Sequence, residues 1–373
     1  MRSPISAEGI SPTNPIDRVS PQNPTSTGGP AVSVPALAVA HHAMPAAEAE
    51  QLARDRYGLD TTAAPLATEK DDTFRLTGGD GRRWILKVAH PAEPAAEIDF
   101  QVELLRHVAR ADPVLPVPQV LPDRDGRSWC TVADRAGQNR PVRLMTWCPG
   151  GPLDRIPSTR AQRRVTGELL ARLRQATAGF AHPADSPVVA WDVQHLPRLR
   201  PLLASIGDPG RRAQLVRGLD RFALIEEQVA GLRRQVLHND FNKSNLLADP
   251  DRPDVITGII DFGDATRTAI AIDVATALLN QLPQAGVLAG DIFADGRDLL
   301  DGYRSQADLT PGELRLIPSL VMARVVARAL ISTHRAARFP ANAAYLLRNT
   351  EPGWAQLDWF LEHSVPEVTE WLV

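Results

Sequence analysis

Lysine is almost missing from this chain. Of 41 basic residues, all but Lys70, Lys87 and Lys243 are arginine or, put differently, the ammonium survives at these positions alone. A lysine kept against that bias is a candidate for work that needs a compact, mobile charge. Cysteine is scarce too. Cys130 and Cys148 show no pairing pattern, which excludes a disulfide scaffold and a structural zinc site and favours a reducing compartment, so the cytoplasm is the expected location. No run of 18 apolar residues occurs, which excludes a membrane-spanning helix. A net charge of -3 excludes a general nucleic-acid binder. Neither nucleic acid nor membrane is therefore an expected partner. What is present is ordinary globular composition, 43% hydrophobic and 23% charged over 373 residues. That length suits two domains or one two-lobed domain.

Residues 1–44 have the composition of a solvated, disordered tail. Seven prolines fall in the first 35 residues and the first aromatic residue is Tyr57; such a segment cannot offset its ordering entropy by burial. The apolar patch at 31–40 is short, contains Pro35 and starts too late for a secretion signal. Order is expected from Pro45. Ala46–Tyr57 has helical spacing and meets a cap at Gly58. Thr73–Thr77 and Arg82–Val88 alternate like strands, and Gly78-Gly79-Asp80-Gly81 between them is a hairpin turn rather than a phosphate cradle. Glu97–Arg110 is helical, and Arg127–Ala133 and Pro141–Trp147 are further strands. After Pro149-Gly150-Gly151-Pro152 the chain turns helical, with Ser158 as the expected cap of a helix reaching Ala178. Thr310-Pro311-Gly312-Glu313 opens another helix with a capping box.

The chemistry is concentrated between Val236 and Asp264. His238-x-Asp240-x-x-x-x-Asn245 is followed, sixteen residues after Asn245, by Asp261-Phe262-Gly263. Apolar runs on either side of Asp249-Pro250-Asp251 predict a hairpin that holds Asn245 and Asp261 side by side. Phosphoryl transfer needs neutralised nucleotide phosphates and an oriented attacking hydroxyl. Magnesium takes oxygen ligands, commonly one or two carboxylates together with phosphates and water. Asn245 and Asp261 can supply such oxygens, Asp240 can take the proton of the hydroxyl, and Lys87 on its strand can reach the phosphates.

The order of strand lysine, helix acid, linker strand Arg143–Trp147, catalytic loop and Asp-Phe-Gly resembles the protein-kinase-like superfamily, in its aminoglycoside phosphotransferase and choline kinase branch. Within that branch the chain is most similar to hydroxylysine kinase and to the kinase domains fused to bacterial aminotransferases. Glu69–Phe74, Ile98–Gln101, Gly179–Pro183, Trp191-Asp192, Asp261–Asp264 and Asp273–Ala275 carry this resemblance, which covers roughly residues 46–335. It implies an α+β, two-lobed protein-kinase-like fold. Residues 45–144 would form the small antiparallel-sheet lobe, 145–150 the hinge, and 151–373 the helical lobe with the catalytic loop, metal loop and acceptor pocket.

The resemblance also implies roles. Asp240 is the expected catalytic residue. Lys87, Lys70, Asp99, Met145 and Trp147 are expected at the nucleotide, with Asp99 pairing Lys87 and Glu103 as the alternative acid. Asn245 and Asp261 are expected to hold Mg2+. His238 and Asp273 are expected to brace the loop. Asn239 stands where the family usually has glycine. The implied reaction moves the γ-phosphoryl group of ATP or GTP to a hydroxyl of an amino alcohol or hydroxy amino acid. An aminoglycoside, homoserine or choline acceptor is the alternative, and a catalytically silent nucleotide-binding module is the alternative of another class. Arg324 and Arg328 lie one helical turn apart in the acceptor lobe; at least one, with Arg324 preferred, is expected to bind an acceptor carboxylate.

Overall fold

We describe residues 42–68, 71–284, 288, 290–340, 343–348 and 350–372 of a computed structural model. The expected tail lies outside these residues except for its last three. Met44 among them is buried, and its backbone N–H donates to Asp72 Oδ2 at 3.1 Å, so the ordered body includes a residue assigned to the tail.

Helix α1 (Ala46–Leu52) runs on through a π-helical turn, Ala53–Tyr57, to Gly58, whose φ of 70° closes it. Strands β1 (Thr61–Leu66), β2 (Asp72–Gly78) and β3 (Arg83–Val88) precede α2 (Ala95–Ala111), and β4 (Val120–Leu121), β5 (Cys130–Ala133) and β6 (Asn139–Thr146) follow it. All pairings in this sheet are antiparallel, in the order β1-β2-β3-β6-β4 with β5 also on β6. Strand β1 was not expected. Its sequence, Thr-Thr-Ala-Ala-Pro-Leu, has neither alternation nor bulk, and Pro65 is tolerated because β1 is the sheet edge. The core of this lobe is Phe74, Leu76, Leu86, Val88, Val142 and Leu144, which come from alternate positions of three neighbouring strands.

The linker is shorter than expected. Strand β6 runs through Thr146, and β7 (Gly151–Pro152) already pairs with the second lobe. Helix α3 (Arg160–Ala176) is capped by Thr159, which accepts from the Gln162 N–H, and not by Ser158. Next come α4 (Pro209–Ala223), α5 (Glu226–Ala230), β8 (Arg234–Leu237), β9 (Leu246–Asp249), β10 (Arg252–Ile259) and β11 (Thr266–Ala269). The chain closes with α6 (Ile270–Leu279), α7 (Ala294–Gln306), α8 (Pro311–Arg338), α9 (Ala343–Leu347), α10 (Thr350–Glu362) and α11 (Val365–Leu372). The capping box of α8 is formed: Thr310 accepts from the Glu313 N–H while Glu313 accepts from the Thr310 N–H. Every residue of α6 is buried, and α8 is buried along most of its length. These two helices are the floor on which the site rests.

Helices α3 and α7 touch backbone to backbone. A Cβ on Gly167 would stand 1.9 Å from the Leu299 carbonyl oxygen, and one on Gly302 would stand 2.0 Å from that of Arg164. Neither obstacle is a flexible side-chain tip, so the helices would have to separate. Gly167→Ala and Gly302→Ala should each destabilise by about 3 kcal/mol. Gly312→Ala, in the first turn of α8 with its nearest neighbour 3.8 Å away, should not. Thermal unfolding of the three variants checks this; a melting temperature for Gly167→Ala equal to that of Gly312→Ala would refute it.

Candidate active site

The site is built on two antiparallel pairs. Strand β8 pairs with β11, with Leu237 opposite Thr266, and β9 pairs with β10, with Leu246 opposite Ile259. The chain leaves β8 into His238–Asn245 and leaves β10 into Ile260–Asp264, so the two loops emerge together. Their backbones join where the Ile260 N–H donates to the Asn245 carbonyl at 2.9 Å. This is the expected adjacency of Asn245 and Asp261.

Apolar side chains pin the loops from below. Phe241 and Phe262 are buried, and the His238 ring lies edge-on to the first at 5.9 Å and 4.7 Å from the second, centroid to centroid. His238 Nδ1 accepts from the Asp240 N–H at 3.3 Å, which leaves Nε2 as the donor to the Ile260 carbonyl at 3.0 Å. His238 therefore ties the loop after β8 to the loop after β10.

Among the described residues, Asn239 and Asp261 are the non-glycine residues with positive φ, at 60° and 63°. Both are of the residue types that tolerate this region best, and such strain gathers at functional sites. At position 239 it explains how asparagine stands where glycine is usual. The Asn239 N–H donates to Asp273 Oδ1 at 2.7 Å, and its Nδ2 donates to the Asp264 carbonyl at 3.2 Å. Asp273, on α6, is buried, and burial pushes its carboxyl up to about 6, against the pull of His238 and the Asn239 N–H.

Asp240 is held at both oxygens. Oδ2 accepts from Asn245 Nδ2 at 2.8 Å and Oδ1 from Arg324 Nη2 at 3.1 Å. A quarter of its side chain stays exposed, at 25%. Asn245 spends its amide nitrogen on Asp240, so its oxygen is the atom with ligand character. Asp261 is more open, at 53%, and lies 3.3 Å from the Lys87 ammonium. That ammonium holds the Asp261 carboxyl below the usual carboxylate range. A half-exposed carboxylate and a neighbouring amide oxygen, with nothing like a closed protein cage around them, fit magnesium held partly by phosphates and water. Among the described residues no group of His, Cys, Asp and Glu forms such a cage.

Several expected assignments move. Lys87 pairs with Asp261, not with Asp99 or Glu103. Asp99 accepts from the Trp129 indole at 2.8 Å and meets His182 Nε2 at 3.2 Å, while Glu103 accepts from Arg106 at 2.7 Å. The reason is helical phase. The α2 position turned toward the buried junction with β6 is Gln101, which accepts from Arg143 at 2.9 Å; Asp99 and Glu103 each lie two residues, about 200° of rotation, from it. Asp99 instead joins α2 to the loop at His182 in the other lobe.

Arg324 is also redirected. It is buried against the Trp191 ring, and it donates to the carbonyls of Trp191 and Asn239 and to Asp240, so it grips the catalytic loop instead of lying open to an acceptor. Sequence reasoning had no signal for this pairing across 84 positions. Met145 is paired on both sides, with Ile85 and Val120, and the Thr146 N–H is bonded to Gln119. The linker backbone beyond these pairings begins at Trp147, whose ring faces Arg83 at 5.4 Å. Lys70 lies outside the described residues. Burial lowers the Lys243 ammonium, with the charges of Asp295, Arg163 and Asp154 also acting on it.

The phosphotransferase enzyme family matches residues 62–309. Hydroxylysine kinase of Mus musculus is 23% identical over 351 residues, covering 87% of this chain and 91% of that protein. Homoserine kinase of Granulibacter bethesdensis is 27% identical, over 75% of this chain and 78% of its own. Among solved structures, a microcompartment-associated aminopropanol kinase superposes with a TM-score of 0.68 at 23% identity, covering 84% of this chain and 97% of that one; this likeness concerns the fold. Among the described residues no helix is long and apolar enough to cross a membrane.

The raised Asp273 carboxyl has a consequence for stability. Its folded value lies above the ordinary 3.8, so the folded state holds this proton more tightly than the unfolded chain does. The ionised form is thus a burden that grows as pH rises from about 4 to 6 and is complete above it. Asp273→Asn keeps an acceptor for the Asn239 N–H and removes that charge. Relative to wild type, the variant should gain on the order of 1–3 kcal/mol between pH 4 and pH 7. Parallel melting curves for the two proteins across that range would refute it.

Proposed function

This chain belongs to the phosphotransferase enzyme family and is a kinase acting on a small-molecule hydroxyl; from that premise we propose that Asp240 is its catalytic base, that ATP or GTP is its donor, and that its acceptor is an amino alcohol or a hydroxy amino acid. The observation that carries the assignment is the double hold on Asp240. With Asn245 Nδ2 on one oxygen and Arg324 Nη2 on the other, the carboxylate cannot rotate away, and each oxygen keeps a lone pair for the incoming hydroxyl. Holding the reacting groups in line is a large part of phosphoryl-transfer catalysis.

In the step itself, the acceptor oxygen bonds to the γ-phosphorus, the bond from that phosphorus to the bridging oxygen breaks, and the hydroxyl proton passes to Asp240. The nucleoside diphosphate leaves. Lys87 binds phosphate oxygens, which requires it to exchange some of its contact with Asp261 for the nucleotide. Asp261 and the Asn245 oxygen would hold Mg2+, which when bound neutralises charge on the phosphates. The backbone from Trp147 onward faces the base. His238 and Asp273 hold the loop in its strained conformation throughout. The hydroxylysine and homoserine kinases among the relatives favour a hydroxy amino acid within the acceptor class.

Asp240→Asn keeps the shape and one of the two accepted hydrogen bonds but removes the base. Its kcat should fall by roughly three orders of magnitude while nucleotide binding persists; near wild-type turnover with homoserine, hydroxylysine or 3-aminopropanol would remove Asp240 from the mechanism. Asp261→Ala should abolish magnesium-dependent nucleotide binding more completely than Asn245→Ala, because it deletes a charge as well as a ligand. Calorimetric titration with and without Mg2+ checks this, and equal magnesium dependence in wild type and Asp261→Ala would refute it.

A further inference from the structure

Helix α8 carries two arginines one turn apart, and their surroundings differ. Arg324 is committed to the loop, as described. Arg328 is not. Its Nη2 donates to Gln356 Oε1 at 2.7 Å, and Gln356, itself fully buried, spends its own amide on the Pro283 carbonyl at 2.9 Å. The partner of this guanidinium is thus a neutral amide. Its Nε is buried and has no hydrogen-bond partner, and no carboxylate pairs with it, among the described residues. Gly353 lies against it; a Cβ there would stand 3.0 Å from Nη2, so the bare glycine makes room for the guanidinium.

A half-buried cation without a counter-charge is costly. Burial, with the like charge of Arg324 second, pulls the Arg328 guanidinium down to about 10. Arg324 has the carboxylates of Asp240 and Asp273 acting on it, whereas Arg328, about 6 Å further along the helix, pairs with no carboxylate among the described residues.

We propose that Arg328 receives a carboxylate of the acceptor, so that the preferred acceptors are hydroxy amino acids and not plain amino alcohols. The bound carboxylate supplies the missing charge, and the planar fork of the guanidinium suits it. With its carboxylate at Arg328 and its hydroxyl at Asp240, an acceptor of homoserine or hydroxylysine size bridges one turn of α8. This inference rests on the kinase reading.

The test compares homoserine with 3-aminopropanol, which differ by the carboxylate. Wild type should show the higher kcat/KM for homoserine. Arg328→Met should lower the ratio of the two kcat/KM values by about 10- to 100-fold, and Arg328→Lys, which keeps charge and loses the fork, by an intermediate factor. The melting temperature of Arg328→Met combines the removed charge with the loss of the donor to the buried Gln356 Oε1, so the readout is the specificity ratio, which a purely structural role would leave unchanged. A second measurement needs no variant: the methyl ester of homoserine should lose a comparable factor with wild type. An unchanged ratio in Arg328→Met, or indifference of wild type to the carboxylate, overturns the inference while leaving the kinase reading standing. Absence of transfer to either acceptor overturns that reading and the inference with it.

Discussion

The site depends on keeping Asn239 in a left-handed conformation inside the protein. A reversal of the chain is needed between β8 and Asp240, and at this point the backbone has both its polar groups out of reach of water. Buried backbone groups must be bonded. Here charged side chains do it: Asp273 takes the N–H from one side and Arg324 donates to the carbonyl from the other. Those two residues sit on α6 and α8, the helices most completely enclosed by the second lobe. The apolar core of that lobe therefore sets the position of Asp240 through two ionisable groups, and Arg324 reaches the Asp240 carboxylate in the same grip.

The charges of the cleft balance across the two lobes. Lys87 comes from the first lobe and Asp261 from the second, 174 positions apart. Their contact compensates the strained metal-loop carboxylate with a cation that is 18% exposed and so remains within reach of phosphate oxygens. The lobes are further joined at α2, where Asp99 meets His182, Phe100 packs on Phe180, and Arg172 on α3 grips Asp112 with both nitrogens of its fork. Helix α2 thus serves as a tie between lobes while the lysine finds its carboxylate elsewhere. Gln101 and Arg143 fill the junction where an acid was expected.

Much of this was legible before any coordinates. The hairpin turn at Gly78–Gly81, the existence of helices α2 and α8, the capping box at Thr310 and the pairing that brings Asn245 beside Asp261 are all local properties. Each depends on residues within about twenty positions, where periodicity, turn chemistry and caps leave few alternatives. Strand β1 was missed because nothing in Thr61–Leu66 favours a strand; its pairing with β2 creates it. The start of the linker shifted because pairing with β3 carries β6 through Thr146 and the two-residue strand Val120–Leu121 covers its other edge at Met145.

The sequence by itself determined which groups are present and in what order: a lysine on a strand, a His-x-Asp loop, an asparagine and an Asp-Phe-Gly turn at the ends of one hairpin. Only the tertiary structure decided which charges meet. Asp99 was the expected partner of Lys87, with Glu103 the alternative, until helix phase turned both away, and Arg324 was the preferred carboxylate ligand of the pair Arg324 and Arg328 until the structure bonded it to the loop after β8 and gave Arg328 a buried glutamine. The physical reason is that an ion pair requires approach within a few ångströms between side chains 80 or more positions apart. That distance is set by how helices and sheets pack, and it leaves no trace in the local pattern of residues.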